Sequence, residues 1–415
     1  MAPVNLLTLL STALLAAILL WTSYQIPILV AGIRSGRVQQ PRKPVERYPR
    51  VSLIVPAKDE ETVIARCVDA LLRLEYPRSQ LEIIIVDGHS TDTTREICAA
   101  YAEEYPSTVR VLLQDGSNGK PPALNLALPY ATGEIVGFFD ADSLPARDVL
   151  QRTVAYFQDS GVVAVQGRRL SLNEGENMLT KVAAKEDKVW FQILLQGREN
   201  LELFVPLTGS CQFVRRRVLE ELEGWDESAL AEDVELALTL LERDASVRYA
   251  PDVCWWQETP HSLRSLVTQR TRWYRGYMEA LLKHGSLLKT PNRKTIDAEI
   301  LLMGPYMMTL SLVSCLLWAL HLVLVYHSTG LPPSLSSLTV ALIALPLILV
   351  GAALAVLERP LTLRSLLWIP FIYTYWFLQT LISGWAFLQI LFRRPKRWQK
   401  TAKRGATDVA AGVIL

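Results

Sequence analysis

Glu134-Ile135-Val136-Gly137-Phe138-Phe139-Asp140-Ala141-Asp142 runs from an apolar stretch directly into two carboxylates separated by one residue. Nothing polar interrupts the run between Glu134 and Asp140, the pattern of a strand covered on both faces. Working outward, Val51–Pro56, Leu81–Val86, Val109–Leu113 and Val162–Gln166 read as further buried strands. Helical patterns fall between them at 59–74, 92–101 and 120–130, with Ser90 or Asp92 available to cap the second. Strands alternating with helices predict an α/β domain with a mostly parallel sheet. In such sheets ligands collect at the carboxyl ends of the strands. Those ends read Ala57-Lys58-Asp59-Glu60, Asp87-Gly88-His89-Ser90, Gln114-Asp115-Gly116 and Asp140-Ala141-Asp142, each with an acid.

Carboxylates gathered on one edge repel one another, and folding alone gives no reason to collect them. A hard divalent cation removes the repulsion and takes oxygen ligands readily. In extended chain Asp140 and Asp142 point the same way, so one can hold Mg²⁺ or Mn²⁺ while the other orients ribose or a water. Either acid alone would suit a turn or helix cap; position among the other acidic strand ends is what gives the pair weight. Asp87-Gly88 needs a sharp turn that Gly permits, leaving Asp87 for a ribose or base edge. Lys120 opens a helix, where a cation opposes the helix dipole; a phosphate partner would justify it. The spacing is not that of a P-loop.

Further on, Thr208-Gly209-Ser210 is small and polar, suited to close approach of a ligand. Glu232 and Asp233 precede a helical run, Val234–Leu241. Acids favour that position for the dipole alone, and one of them could also deprotonate a hydroxyl. Residues 261–283 form a basic amphipathic pattern able to lie on a membrane surface. Within it Gln269-Arg270-Thr271-Arg272-Trp273 concentrates donors beside an aromatic face; Arg272 could grip a diphosphate.

Half of the 415 residues are hydrophobic and the net charge is +2, which gives no case for nucleic acid. Five scattered cysteines make neither a metal cage nor a disulfide framework. Residues 1–33 and about 296–392 are mostly apolar. Asn5 to Ile33 lacks any Lys, Arg, Asp or Glu, exceeding the about 20 residues a bilayer span needs. No basic residue precedes it, against a cleaved signal. Arg34, Arg37, Arg42, Lys43, Arg47 and Arg50 follow it, which places the central domain in the cytosol.

The ordered motifs resemble those of family 2 glycosyltransferases, which include poly-N-acetylglucosamine, cellulose, hyaluronan and chitin-oligosaccharide synthases. They are Val55-Pro56-Ala57-Lys58-Asp59-Glu60, Val86-Asp87-Gly88-His89-Ser90, Gly119-Lys120 with Asn125, Asp140-Ala141-Asp142, Thr208-Gly209-Ser210, Glu232-Asp233 and Gln269-Arg270-Thr271-Arg272-Trp273. The resemblance implies a GT-A fold, a nucleotide-sugar donor (usually UDP), a divalent metal and inversion at the anomeric carbon. By position, Ala57, Glu60 and Asp87 would contact the nucleoside, Lys120 and Asp140 the nucleotide or diphosphate, and Asp142 the metal. Thr208, Gly209, Ser210 and Glu232 would line the substrate site, Asp233 would be the base, and Gln269, Arg272 and Trp273 would bind diphosphate and acceptor. Ala231 stands where synthases often have Thr, and Asp59 where Asn is commoner.

The expected organisation is a transmembrane helix at 1–33, a basic linker at 34–50, a cytosolic GT-A domain at 51–260, an interfacial helix at 261–295, a transmembrane region at 296–392 and a basic tail at 393–415. Its apolar stretches fall at 299–325, 336–357 and 365–392, predicting a multi-pass plasma-membrane protein. The basic tail argues for a cytosolic C-terminus. The leading functional expectation is a processive synthase extending a β-linked polysaccharide. The alternative is single glycosylation of a lipid acceptor; a third is a non-catalytic subunit of an export system.

Overall fold

The apolar runs pair as strands whose alternate residues serve opposite layers. In the computed structural model, which describes residues 2–35, 45, 47–116, 119–285, 290–329, 368–396, 401 and 403–405, β1 (Val51–Ala57), β2 (Leu81–Asp87), β3 (Val109–Leu113) and β4 (Ile135–Phe138) lie parallel in the order β3-β2-β1-β4. Val51 stands opposite both Leu81 and Ile135. Leu53, Val55, Ile83 and Ile85 face one core. Ile54, Ile84, Val86, Val136 and Phe138 face the other. Each such side chain contributes about 1.5–3 kcal/mol by its burial. That double burial explains why the runs carry no polar alternation.

The first core is closed by α2 (Ile64–Leu72), α3 (Thr94–Glu104) and α5 (Val149–Tyr156). The second is closed by α4 (Lys120–Ala127), α8 (Arg216–Glu221) and α9 (Glu232–Glu242). The helix expected from residue 59 starts only at Ile64, because Asp59 adopts φ +51°. Asp and Asn enter that left-handed region most readily among residues with a side chain, which accounts for an acid where Asn is commoner. The helix expected to Tyr130 ends at Ala127 and tightens into a 3₁₀ turn, Leu128–Tyr130, around Pro129.

Three strands escaped the sequence reading: β5 (Leu144–Pro145), β7 (Gln212–Arg215) and β8 (Ser246–Gln257), while β6 extends over Val162–Ser171. The full order is β3-β2-β1-β4-β7-β6-β8-β5. β7 is antiparallel to both β4 and β6, and β5 to β8. Pro251 sits in β8 where the β6 register jumps between Tyr249 and Cys254, so the residue without an N–H leaves the ladder.

α6 (Met178–Val189) passes through a π-helical turn, Trp190–Leu195, into α7 (Gln196–Asn200). Against these packs α1 (Ala2–Ser35), at backbone range: a Cβ on Gly197 would lie 2.0 Å from the Ile28 carbonyl oxygen, and one on Gly32 2.0 Å from that of Ile193. α10 (Leu263–His284) buries Leu266, Gln269, Arg270, Arg275 and Met278. It therefore packs into the protein rather than resting on a surface, with α11 (Arg293–Leu302), α12 (Gly304–Thr329) and α13 (Trp368–Leu391) beside it.

Among the described residues one helix segment, Thr12–Arg34, is long and apolar enough to cross a membrane, or two if the pair Arg293–Leu302 and Gly304–Leu317, bent by 46°, forms one span. The multi-pass expectation is thus reduced to one or two spans there; residues 336–357 and the loop 358–364 lie outside the described residues. Leu316, Leu320, Val323, Phe371, Phe377, Trp385 and Leu391 are exposed on α12 and α13, an apolar surface of the kind that meets lipid.

Candidate active site

The carboxyl end of β4 meets the turn before β7 and the start of α9 around one buried ammonium, and the ends of β1 and β2 line the same cavity. Lys120, the first residue of α4, donates from Nζ to Asp140 Oδ1 at 2.7 Å and to the Gly209 carbonyl at 2.7 Å. It lies 3.2 Å from Glu232 Oε1. Burial alone would lower the lysine's pKa. The charges of Asp140 and Glu232 outweigh it and hold the group above its ordinary value. The cation expected to await a phosphate is therefore already tied to the acids.

Asp140 resists protonation despite burial, because Lys120 and the Gln257 amide favour its charged form. Gln257 Nε2 bridges Asp140 Oδ2 and Asp142 Oδ1 at 3.0 Å each, fixing the two carboxylates relative to each other. Asp142 also pairs with Lys403 of the tail. Lys403 reaches the Glu258 carbonyl at 3.3 Å, and the Arg404 amide donates to Glu258 Oε2 at 3.0 Å. Lys403 and Arg404 thus pack against the acidic strand ends.

Gly209 (φ +82°) makes the convergence possible. A Cβ there would lie 3.1 Å from Asp233 Oδ2 and 3.3 Å from Lys120 Nζ. Its neighbours hold the turn: Thr208 N donates to Gln166 Oε1 at 2.8 Å, Gly209 N to Gln212 Oε1 at 3.1 Å, and the Asp140 amide to Ser210 Oγ at 3.2 Å. Asp233 accepts from the Val234 amide at 2.9 Å. Burial first, then the adjacent charge of Glu232, push its pKa up to about 7, against Lys120 and Arg272.

Asp87 is buried at the end of β2, its Oδ2 accepting from the Ser90 amide at 3.3 Å and its Oδ1 without a partner among the described residues. The Ala57 carbonyl accepts from Gly88 N at 2.7 Å, and Glu60 N donates to Thr94 Oγ1 at 2.7 Å, so the β1 and β2 ends close into one corner. Asn125, by contrast, clasps Trp225, donating to its carbonyl at 2.9 Å and accepting from its amide at 2.8 Å; it is structural. Gln269, Arg272 and Trp273 line the same cavity as Asp233. The Trp273 ring is flanked by the Arg270 guanidinium at 4.3 Å and that of Arg169 at 5.5 Å. Gln257, Lys403 and Gln166 were missed by sequence. The first two lie in an unrecognised strand and in a tail read only for its charge.

The cavity measures about 650 Å³. It runs from Asp140, Asp142 and Asp233 to Trp21 and Leu29 of α1, Met307 of α12 and Ile372 and Trp376 of α13. One wall is ionic and the other apolar. Asp140 and Asp142 form the acidic pair, and no cluster of three His, Cys, Asp or Glu suited to a metal occurs among the described residues.

Residues 49–276 match the model of the glycosyltransferase-like family 2. The chain is 36% identical over 299 residues to a beta-monoglucosyldiacylglycerol synthase of Nostoc sp., covering 70% of this chain and 63% of that one. It is 31% identical over 263 residues to a probable glycosyltransferase, YdaM, of Bacillus subtilis, covering 62% of each. It thus spans less than two thirds of these curated relatives' length. Among solved structures, the mannosyltransferase PcManGT from Pyrobaculum calidifontis, in complex with GDP-Man and Mn²⁺, superposes with a TM-score of 0.67 at 24% identity, over 94% of this chain and 100% of that one. That likeness establishes the GT-A fold. With the family model matching more than half of its length, the chain belongs to the family 2 glycosyltransferases.

Proposed function

We propose that the chain moves one hexose from a nucleotide-sugar donor, UDP-linked by our reading, to the hydroxyl of a diacylglycerol-type lipid at the membrane, inverting the anomeric carbon. The observation that carries this is the single cavity with an ionic end at Asp140, Asp142 and Asp233 and an apolar end between α1, α12 and α13. A polymer of sugars would call for polar walls along its path; acyl chains call for the apolar one present. The lipid synthase among the relatives supports this reading over the polysaccharide extension that Gln269-Arg270-Thr271-Arg272-Trp273 suggested.

In this proposal Ala57, Glu60 and Asp87 hold the nucleoside in the corner between β1 and β2. Asp140 and Asp142 fit a divalent ion: two acids fixed by one amide, with the Lys403 ammonium at Asp142 in the place an ion would take. Mg²⁺ or Mn²⁺ held by Asp140 and Asp142 would offset charge on the leaving group. Lys120 and Arg272 face the diphosphate. Thr208, Gly209 and Ser210 bring backbone close to the sugar, and Glu232 keeps Lys120 oriented. Asp233 takes the acceptor's hydroxyl proton as that oxygen bonds to the anomeric carbon and the sugar–phosphate bond breaks. Gln269 and Trp273 shape the acceptor side. A carboxyl titrating near neutrality suits a base at physiological pH.

The test is incubation of purified protein with UDP-glucose and other nucleotide sugars, Mg²⁺ or Mn²⁺, and diacylglycerol in mixed micelles. A lipid product bearing one sugar is expected. Polymer growth without a lipid product would overturn the proposal.

A further inference from the structure

Arg198, on α7, is 1% exposed and lines the same cavity as Asp233. Its Nε donates to Asp297 Oδ2 at 3.2 Å, and Asp297 is fully buried. The other Asp297 oxygen accepts from Tyr24 of α1 at 3.2 Å. The guanidinium rests 5.8 Å from the Trp190 ring centroid. Among the described residues Nη1 and Nη2 find no hydrogen-bond partner, although both are buried. Such donors persist in a cavity wall when a ligand brings the acceptor. Tyr277 lines the same cavity; burial first, then Asp233's charge, hold its hydroxyl above its ordinary pKa, with Arg198 opposing.

The charge of Arg198 is already answered by Asp297, so what the pair offers the cavity is hydrogen-bond donation rather than net charge. A neutral oxygen matches that; a phosphate would want an uncompensated cation. We propose that Arg198 determines acceptor specificity: its two Nη groups donate to an ester carbonyl of a neutral glycerolipid whose free hydroxyl lies at Asp233. This rests on the lipid-acceptor reading above.

The experiment compares ester-linked 1,2-diacylglycerol with ether-linked 1,2-dialkylglycerol, which lacks the carbonyl, on the full chain and on Arg198→Lys. Lysine keeps the partner of Asp297 but loses the fork. The unsubstituted chain should favour the ester about tenfold to a hundredfold in kcat/KM, mainly through KM, the range expected for a hydrogen bond to a charged group. Arg198→Lys should lose that preference while UDP affinity is unchanged. If the lysine variant does not fold, the double variant Arg198→Met with Asp297→Leu serves instead, since apolar replacement of a whole buried pair is often tolerated. An unsubstituted chain indifferent to ester and ether, a variant that retains the preference, or faster transfer to phosphatidic acid or a polyprenyl phosphate would overturn the assignment. Failure to glycosylate any diacylglycerol would instead overturn the lipid-acceptor reading, and this inference with it.

Discussion

The two ends of the cavity bury charge in opposite ways. At the donor end carboxylates outnumber ammonium groups: Asp140, Asp142, Glu232 and Asp233 surround Lys120 and Lys403. At the apolar end one guanidinium meets one carboxylate and, among the described residues, has donors to spare. Excess acid prepares a place for cations and keeps one carboxyl hard to ionise. A neutral pair with spare donors prepares a place for an uncharged oxygen. The difference teaches that one cavity can present two chemically unlike ends through local charge balance, without a wall between them.

The sharpest way to break this comparison is at Asp233. Asp233→Asn should lower transfer about a thousandfold, within the range of general-base loss, with UDP affinity little changed; a radiolabelled-donor assay and a UDP titration measure both. The native protein's rate should fall about tenfold per pH unit below about 7, where Asp233 takes up its proton. The stability sign is the reverse. An acid whose folded pKa is raised stabilises the fold at low pH and loses that contribution as pH rises through about 7. Asp233→Asn should therefore melt above the native protein at pH 8, with the gap narrowing toward pH 5.

Lys120→Met strands Asp140 and Glu232 and should cost about 3 kcal/mol of stability, as removal of one partner from a buried ion cluster does. Denaturant unfolding in detergent reads it. Gly209→Ala tests crowding rather than charge. At φ +82° a side chain adds strain of about 1–2 kcal/mol, and its Cβ would press on Asp233 and Lys120. A fall of about tenfold in transfer rate is expected. The smallest effect belongs to the tail. Lys403→Ala leaves Asp142 without its ammonium partner, so Mn²⁺ should raise the melting temperature more in the variant than in the native protein, by about 2–4 °C for each kcal/mol gained.

The donor end was legible because its acids are local signals, each ending an apolar strand that reads plainly. Ala57, Asp87, Lys120, Asp140, Asp142 and the Thr208–Ser210 turn occupy the strand ends and turns where the sequence put them. β7 was hidden by its shortness and by Gln212 at its start, and β8 by Pro251 within it; Gln257, the amide joining Asp140 to Asp142, went with β8. Arg198 could not be read at all. Its meaning depends on Asp297, 99 residues later, and on Tyr24 in a helix that looked like a membrane anchor and nothing more. Distant pairing leaves no periodicity in a sequence. Trp273 was singled out by its motif, but its place between Arg169 and Arg270 needs the packed α10.

The close seating of α1 has a practical side. Ile28 and Gly32 meet Gly197 and Ile193 backbone to backbone, and Trp21 and Leu29 face the cavity. A helix that merely tethers an enzyme could be trimmed to make the protein easier to handle, or exchanged for another hydrophobic segment. Here trimming would open a wall of the cavity and remove the tyrosine that steadies Asp297. Any soluble form therefore has to keep residues 12–35 and shield them, rather than cut them away.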